Sequence, residues 1–162
     1  MEKLNGIQDF TLLKVKLNNE GGLNVTYEIK TTLDGVPSTN KHSVETGEII
    51  HSDLIRCFNH LRPLMARVFA FPEECEENIR VNGICLAGKE ENKGCILTAD
   101  YFTISEQPVP IRTPRIKFLE SYYGFENELQ DLANNIENEV YQYLFEFKNA
   151  SSDMMEISVE KQ

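Results

Sequence analysis

The stretch LNVTYEIK, residues 23–30, alternates without a break. Leu23, Val25, Tyr27 and Ile29 face one way; Asn24, Thr26, Glu28 and Lys30 face the other. A period of two with one polar face is the pattern of an antiparallel strand with one wet side. Just upstream, Asn18-Asn19-Glu20-Gly21-Gly22 is turn chemistry, because glycine permits a positive φ. Before that turn FTLLKVKL, Phe10–Leu17, alternates well enough to be the partner strand, with Leu13, Val15 and Leu17 on one face. The two strands form a hairpin. Downstream, Asp34-Gly35 and then Pro37 mark a second turn, and residues 41–48 return as a third strand.

From Ser52 the period changes. Leu54, Phe58, Leu61, Met65 and Val68 recur at steps of four and three, one side of a helix. Ser52 is the expected N-cap, and Asp53 suits the positive end of the helix dipole. Pro63 interrupts the pattern. Inside a helix it removes a hydrogen bond and clashes with the preceding turn, at about 3 kcal/mol. The expectation is a kink there, or two short helices. Arg56, His60, Arg62 and Arg67 fall mainly off the apolar stripe. Phe71-Pro72 ends the helix, and Glu73, Glu74, Glu76 and Glu77 make an acidic loop.

Residues 80–87 and 95–105 read as strands around a polar loop at residues 89–94. The second carries apolar residues on both faces, so it is expected to be central and covered on both sides. Pro108, Pro110 and Pro114 follow. Proline cannot donate to a ladder, so residues 109–113 read as an edge strand. The last element is the clearest. Phe125, Leu129, Leu132, Ile136, Val140, Tyr143 and Phe147 step by four and three, a long helix with one apolar seam. Tyr141, Leu144 and Phe145 widen its apolar surface, which suggests self-association.

The order β-β-(β)-α-β-β-(β)-α argues an α+β fold, a mostly antiparallel sheet of about five to six strands with two helices. No Pro/Gly/Ser-rich linker divides the chain. Residues 1–148 read as a single domain and residues 149–162 as a polar tail.

Composition narrows the function classes. The chain has 162 residues, 41% hydrophobic and 26% charged, the balance of a globular domain. It has no apolar run of membrane-spanning length, and the start MEKLNGIQDF has no signal-peptide core. A cytosolic protein with reduced thiols is expected from Cys57, Cys75, Cys85 and Cys95. Their spacing lacks the paired ligands of a zinc site, so no metal or cofactor is expected. The net charge of −10 disfavours a broad basic surface for duplex DNA. That charge is uneven. Residues 73–77 carry −4 and residues 120–147 carry −7, so the remainder is close to neutral.

No nucleophile, phosphate-loop or metalloprotease motif is present, so a non-catalytic binding protein is the first reading. The locally basic stretch is Pro110-Ile111-Arg112-Thr113-Pro114-Arg115-Ile116-Lys117-Phe118. Guanidiniums among aromatics suit phosphate or single-stranded nucleic acid, because phosphates take bidentate bonds and bases stack. Candidate ligand residues are Arg112, Arg115 and Lys117, with Arg62 and Arg56 from the first helix and Tyr101. The competing reading pairs these arginines with the protein's own acids. The carboxylates of the last helix, off its apolar seam, read as a solvated face. Alternatively that acidity imitates DNA toward a host protein, and an enzyme without a readable motif stays open.

Two groups of residues carry a family resemblance. One is His51-Ser52-Asp53-Leu54 with Phe58 and Leu61-Arg62-Pro63-Leu64. The other is Thr113–Phe118 (TPRIKF), Tyr123-Gly124-Phe125-Glu126, and Glu139-Val140 with Tyr143-Leu144-Phe145-Glu146. Together they resemble a family of small proteins of bacteriophages and mobile elements in gut Bacteroidales. The resemblance implies a phage-type protein working inside a bacterium, and it carries no catalytic residue over. One departure is Phe147, where that family often has glycine.

Overall fold

The computed structural model describes residues 9–152. Over them the fold is α+β, with two main helices and seven strands. The strands are β1 Phe10–Leu17, β2 Leu23–Leu33, β3 Val36–Glu45, β4 Ile79–Ala87, β5 Gly94–Phe102, β6 Pro108–Arg112 and β7 Ile116–Lys117. The helices are α1 Ser52–Val68 and α2 Glu126–Phe145. Every pairing described below is antiparallel. The chain forms two compact units: residues up to Leu54 with those from Glu137 onward, and residues Ile55–Ile136.

In the first unit β1, β2 and β3 form a meander. Leu23, Val25 and Tyr27 are buried as their alternation requires, and Ile29 is half-buried. The expected face of β1 is off by one residue at its start. The register with β2 shifts between Leu12 and Lys14, so Phe10, Leu12 and Val15 are buried while Leu13 and Leu17 are only half-buried. A bulge of one residue reverses which side chains point inward. The Phe10 ring lies 5.2 Å from Tyr27, 5.4 Å from Tyr141 and 5.9 Å from Phe145. The apolar surface that widens the last helix is thus filled partly from within the unit.

β3 starts at Val36, five residues before the expected position. Its ten pairs with β2 run without a break from a tight turn in which Asp34 (φ 52°) and Gly35 (φ 77°) are both left-handed. Two positive φ values match the twist of a two-residue hairpin. Past α2, Phe147 also has positive φ (56°), and the chain turns back so that the Lys148 ammonium meets Asp53 (2.8 Å) and Glu139 (3.0 Å).

Helix α1 is continuous through Pro63, neither split nor divided into two helices. Its cap is His51 rather than Ser52: the Asp53 N–H donates to His51 Nδ1 (3.0 Å) and the Leu54 N–H to the His51 carbonyl (3.1 Å). In the second unit β5 is central, paired with β4 along one edge and with β6 and β7 along the other. Ile79, Val81, Ile84, Leu86, Cys95, Leu97 and Ala99 are buried. The opposite face of β5, Ile96, Thr98 and Asp100, is half-buried, so β5 is not covered equally on both sides. β6 is the expected edge strand, and its three-proline neighbourhood keeps its outer side from pairing further.

Candidate functional site

The half-buried face of the second unit's sheet follows from register. Residues directly opposite share a face. Arg80 lies across from Asp100, Thr98 across from Arg112, and Gly94 across from Lys117. Gly94, Thr98 and Asp100 have the same parity on β5, so Arg80, Arg112 and Lys117 share one side. Between the arginines runs a hydrogen-bonded row. The Thr98 hydroxyl donates to Asn82 Oδ1 (2.9 Å), and the Asn82 amide donates to Asp100 Oδ2 (3.3 Å). Asn82 reaches both because the register of β4 shifts between Val81 and Gly83. Arg80 and Arg112 are exposed, and among the described residues neither is held by a hydrogen bond or ion pair. Their Cα atoms are roughly 12 Å apart, two strand spacings across and two residues along. Lys117 leans toward Glu120 at 3.6 Å.

The other residues named from the sequence lie elsewhere. The Arg115 guanidinium donates to the carbonyls of Ala87 (3.4 Å) and Asn92, tying down the β4–β5 connection. Gly88 makes room for it: a Cβ there would lie 2.2 Å from Arg115 Nη2. Tyr101 has the parity of the buried side of β5. Its ring packs 5.1 Å from Phe71. A hydrogen bond with the Cys75 thiol raises its hydroxyl pKa, and one with Asn78 opposes that. So the aromatic and the arginine that sequence proximity joined are on opposite sides of the sheet. Arg62, on α1, donates to Asn59 (3.5 Å) and borders an open depression lined by Glu73, Glu74, Glu76 and Glu77. Arg56 is exposed on α1. Arg67 donates to the Tyr123 carbonyl (3.1 Å) and stands 4.9 Å over the Phe125 ring, a structural cation–π contact.

Arg80 is the residue that sequence reading missed. It is an isolated charge at a strand start, and only its pairing with Asp100 brings it beside Arg112. Its alternation with Val81 was the available signal.

The acids of the last helix divide. Glu126 is 3% exposed and accepts the Tyr123 N–H at 3.0 Å. Glu137 accepts the Leu12 N–H at 3.0 Å, beside the bulge of β1. Glu139 holds Lys148. These three are structural, which corrects the reading of a wholly solvated acidic face. Glu128, Asp131 and Glu146 are exposed.

No disulfide joins the cysteines. Burial pushes the Cys95 thiol up to about 12, with Cys85 adding to the shift. Among the described residues no three of His, Cys, Asp and Glu gather as metal ligands, and no helix is long and apolar enough to cross a membrane. Compared with protein-family models, with curated proteins and with solved structures, the chain has no match.

Proposed function

We propose that the protein is a non-catalytic, phage-type binding protein that holds single-stranded nucleic acid on the outer sheet face of the second unit. The observation that supports this reading is the pair Arg80 and Arg112 flanking the Asn82–Thr98–Asp100 row, exposed and without side-chain partners among the described residues. Guanidiniums in this state are available for bidentate bonds to phosphate oxygens. A small phosphorylated molecule is held by donors that converge on it in a depression. A sheet face presents its donors in an open row, and a polymer backbone is the phosphate source that fits a row. Phe102 has the parity of Thr98 and Asp100 and is half-buried at the end of this face, so contact is mainly to the backbone and sequence preference is weak. Asp100, within the row, limits how closely a phosphate approaches its centre and places the contacts at the flanks.

The test is fluorescence anisotropy with a labelled single-stranded oligonucleotide across a salt series. Binding that weakens with salt, and weakens about tenfold or more in Arg80→Ala/Arg112→Ala, supports the reading. Absence of binding at low salt overturns it, as does full binding by the double variant.

A further inference from the structure

We propose a second phosphate-binding patch, on the outer face of the first unit's sheet, built by Lys14, Lys16, Asn24, Thr26 and Ser43. It does not rest on the Arg80–Arg112 reading. Two rows cross the three strands there. Lys14 lies across from Thr26, which lies across from Ser43; Lys16 lies across from Asn24, which lies across from Glu45. These residues line one open depression.

The hydrogen-bond inventory shows which donors remain. Thr26 Oγ1 and Ser43 Oγ are 3.3 Å apart, so one hydroxyl donates to the other. The accepting hydroxyl keeps its own O–H to donate outward. Asn24 Oδ1 accepts from the Asn18 amide at 3.2 Å, which orients the Asn24 carboxamide. Among the described residues its NH₂ makes no hydrogen bond and is available to a ligand. Among the described residues neither Lys14 nor Lys16 makes an ion pair within 4.0 Å. The patch therefore offers two ammonium groups, an amide N–H and a hydroxyl, all donors. That is the complement of a phosphate, which accepts and does not donate. A cation is disfavoured by the two lysines.

Glu45 faces the same depression. Among the described residues it is the one acid lining the depression, and it stands on the far strand from Lys16. It reduces the net charge of the patch to +1 and makes the ligand's charge density matter: a dianionic phosphate outcompetes a monovalent anion. The patch was not legible as a site in the sequence, because its residues come from three separate strands and each strand alone reads as an ordinary wet face.

The experiment is a titration of the isotope-labelled full chain with inorganic pyrophosphate, followed by amide and Asn side-chain NMR shifts, with sodium chloride at matched ionic strength as control. Saturable shifts centred on Lys16, Asn24, Thr26 and Ser43 support the patch. So does a tenfold or greater weakening in Lys14→Ala/Lys16→Ala, together with a two- to fivefold tightening in Glu45→Gln. All three substitutions are at exposed positions, and the amide spectrum itself reports whether the fold persists. Shifts that equal the chloride control, or that are unchanged in the double lysine variant, overturn the proposal. Arg80→Ala/Arg112→Ala should leave the pyrophosphate shifts intact, so failure of the nucleic-acid reading and failure of this one are separately visible. If an oligonucleotide also shifts these resonances, the phosphate source is nucleic acid; if only pyrophosphate does, it is a small phosphate ester. Either result supports the patch.

Discussion

Arg112 and Arg115 are three positions apart and serve different ends. Arg115 donates into two carbonyls and closes a loop. Arg112 sits on a strand whose partner, Thr98, sets which way it faces. Chain proximity groups them; hydrogen bonding separates them. Glu126 shows the same dependence on partners. Burial raises its pKa, but the N–H groups of Tyr123, Gly124, Phe125 and Glu126 itself surround the carboxylate, and the result is a lowered value. A carboxylate at this end also meets the positive pole of α2. The lowered pKa makes its contribution to stability fully present above the unfolded carboxylate pKa of about 4.3. That contribution is lost as pH falls through the lower folded value. Glu126→Gln should therefore destabilise the protein by about 1–2 kcal/mol at pH 7. The gap to wild type should narrow as the pH is taken toward 3. Urea unfolding at both pH values measures this, and a gap that widens in acid would refute it. Phe147, the last residue of the seam pattern, is a further case of local geometry overriding type. Its step along the helix stripe reads as core, yet it is exposed with φ 56°, a conformation that favours glycine.

Elements were legible in the sequence to the degree that burial wrote a period into them. LNVTYEIK and the two helix stripes announce themselves because one side of each is packed. β3 is different: most of its residues are exposed, so no alternation marks it, and its extent is decided by backbone pairing with β2. β7 has only two residues, too few to hold any period. The bulge in β1 is invisible for another reason: Leu12 and Leu13 are the same residue, and which one turns inward depends on the partner strand. Pro63 marks the opposite case, a local signal that tertiary packing overrides. Leu54, Phe58, Leu61, Leu64 and Met65 are buried on both sides of the proline, and their burial offsets the local cost. Pro63 itself is exposed. Pro63→Ala should restore the missing backbone bond without removing a packed side chain. It should raise unfolding stability by about 1–3 kcal/mol. The check is a higher urea midpoint at unchanged slope; an unchanged or lower midpoint would mean that the helix already accommodates the ring without strain.

At the scale of the molecule the proposed function raises the question of how a chain of charge −10 would hold a polyanion. The acids are concentrated in residues 73–77 and 120–147, whereas Arg80 and Arg112 share a sheet face with Asp100, and Lys117 on the same face is paired with Glu120. The two charge distributions act over different ranges. At 0.01 M salt the screening length is about 30 Å, so an approaching strand feels the repulsion of the whole chain. At 0.1 M it is about 10 Å, and the strand feels mainly the face it meets. Association should therefore speed up as salt rises from 0.01 to 0.1 M, the reverse of the usual steering effect. Contacts already made respond otherwise. With Arg80 and Arg112 on phosphates, log K should fall against log salt with a slope of about −1.4, at about 0.7 per phosphate on a single strand. Dissociation must then accelerate more than association does over the same range. Stopped-flow anisotropy at a series of salt concentrations reads both rates from one sample. An association rate that falls steadily from 0.01 M upward would require a basic field extending well beyond this face, and the acid-rich helix and loop would then have to lie where they do not oppose it.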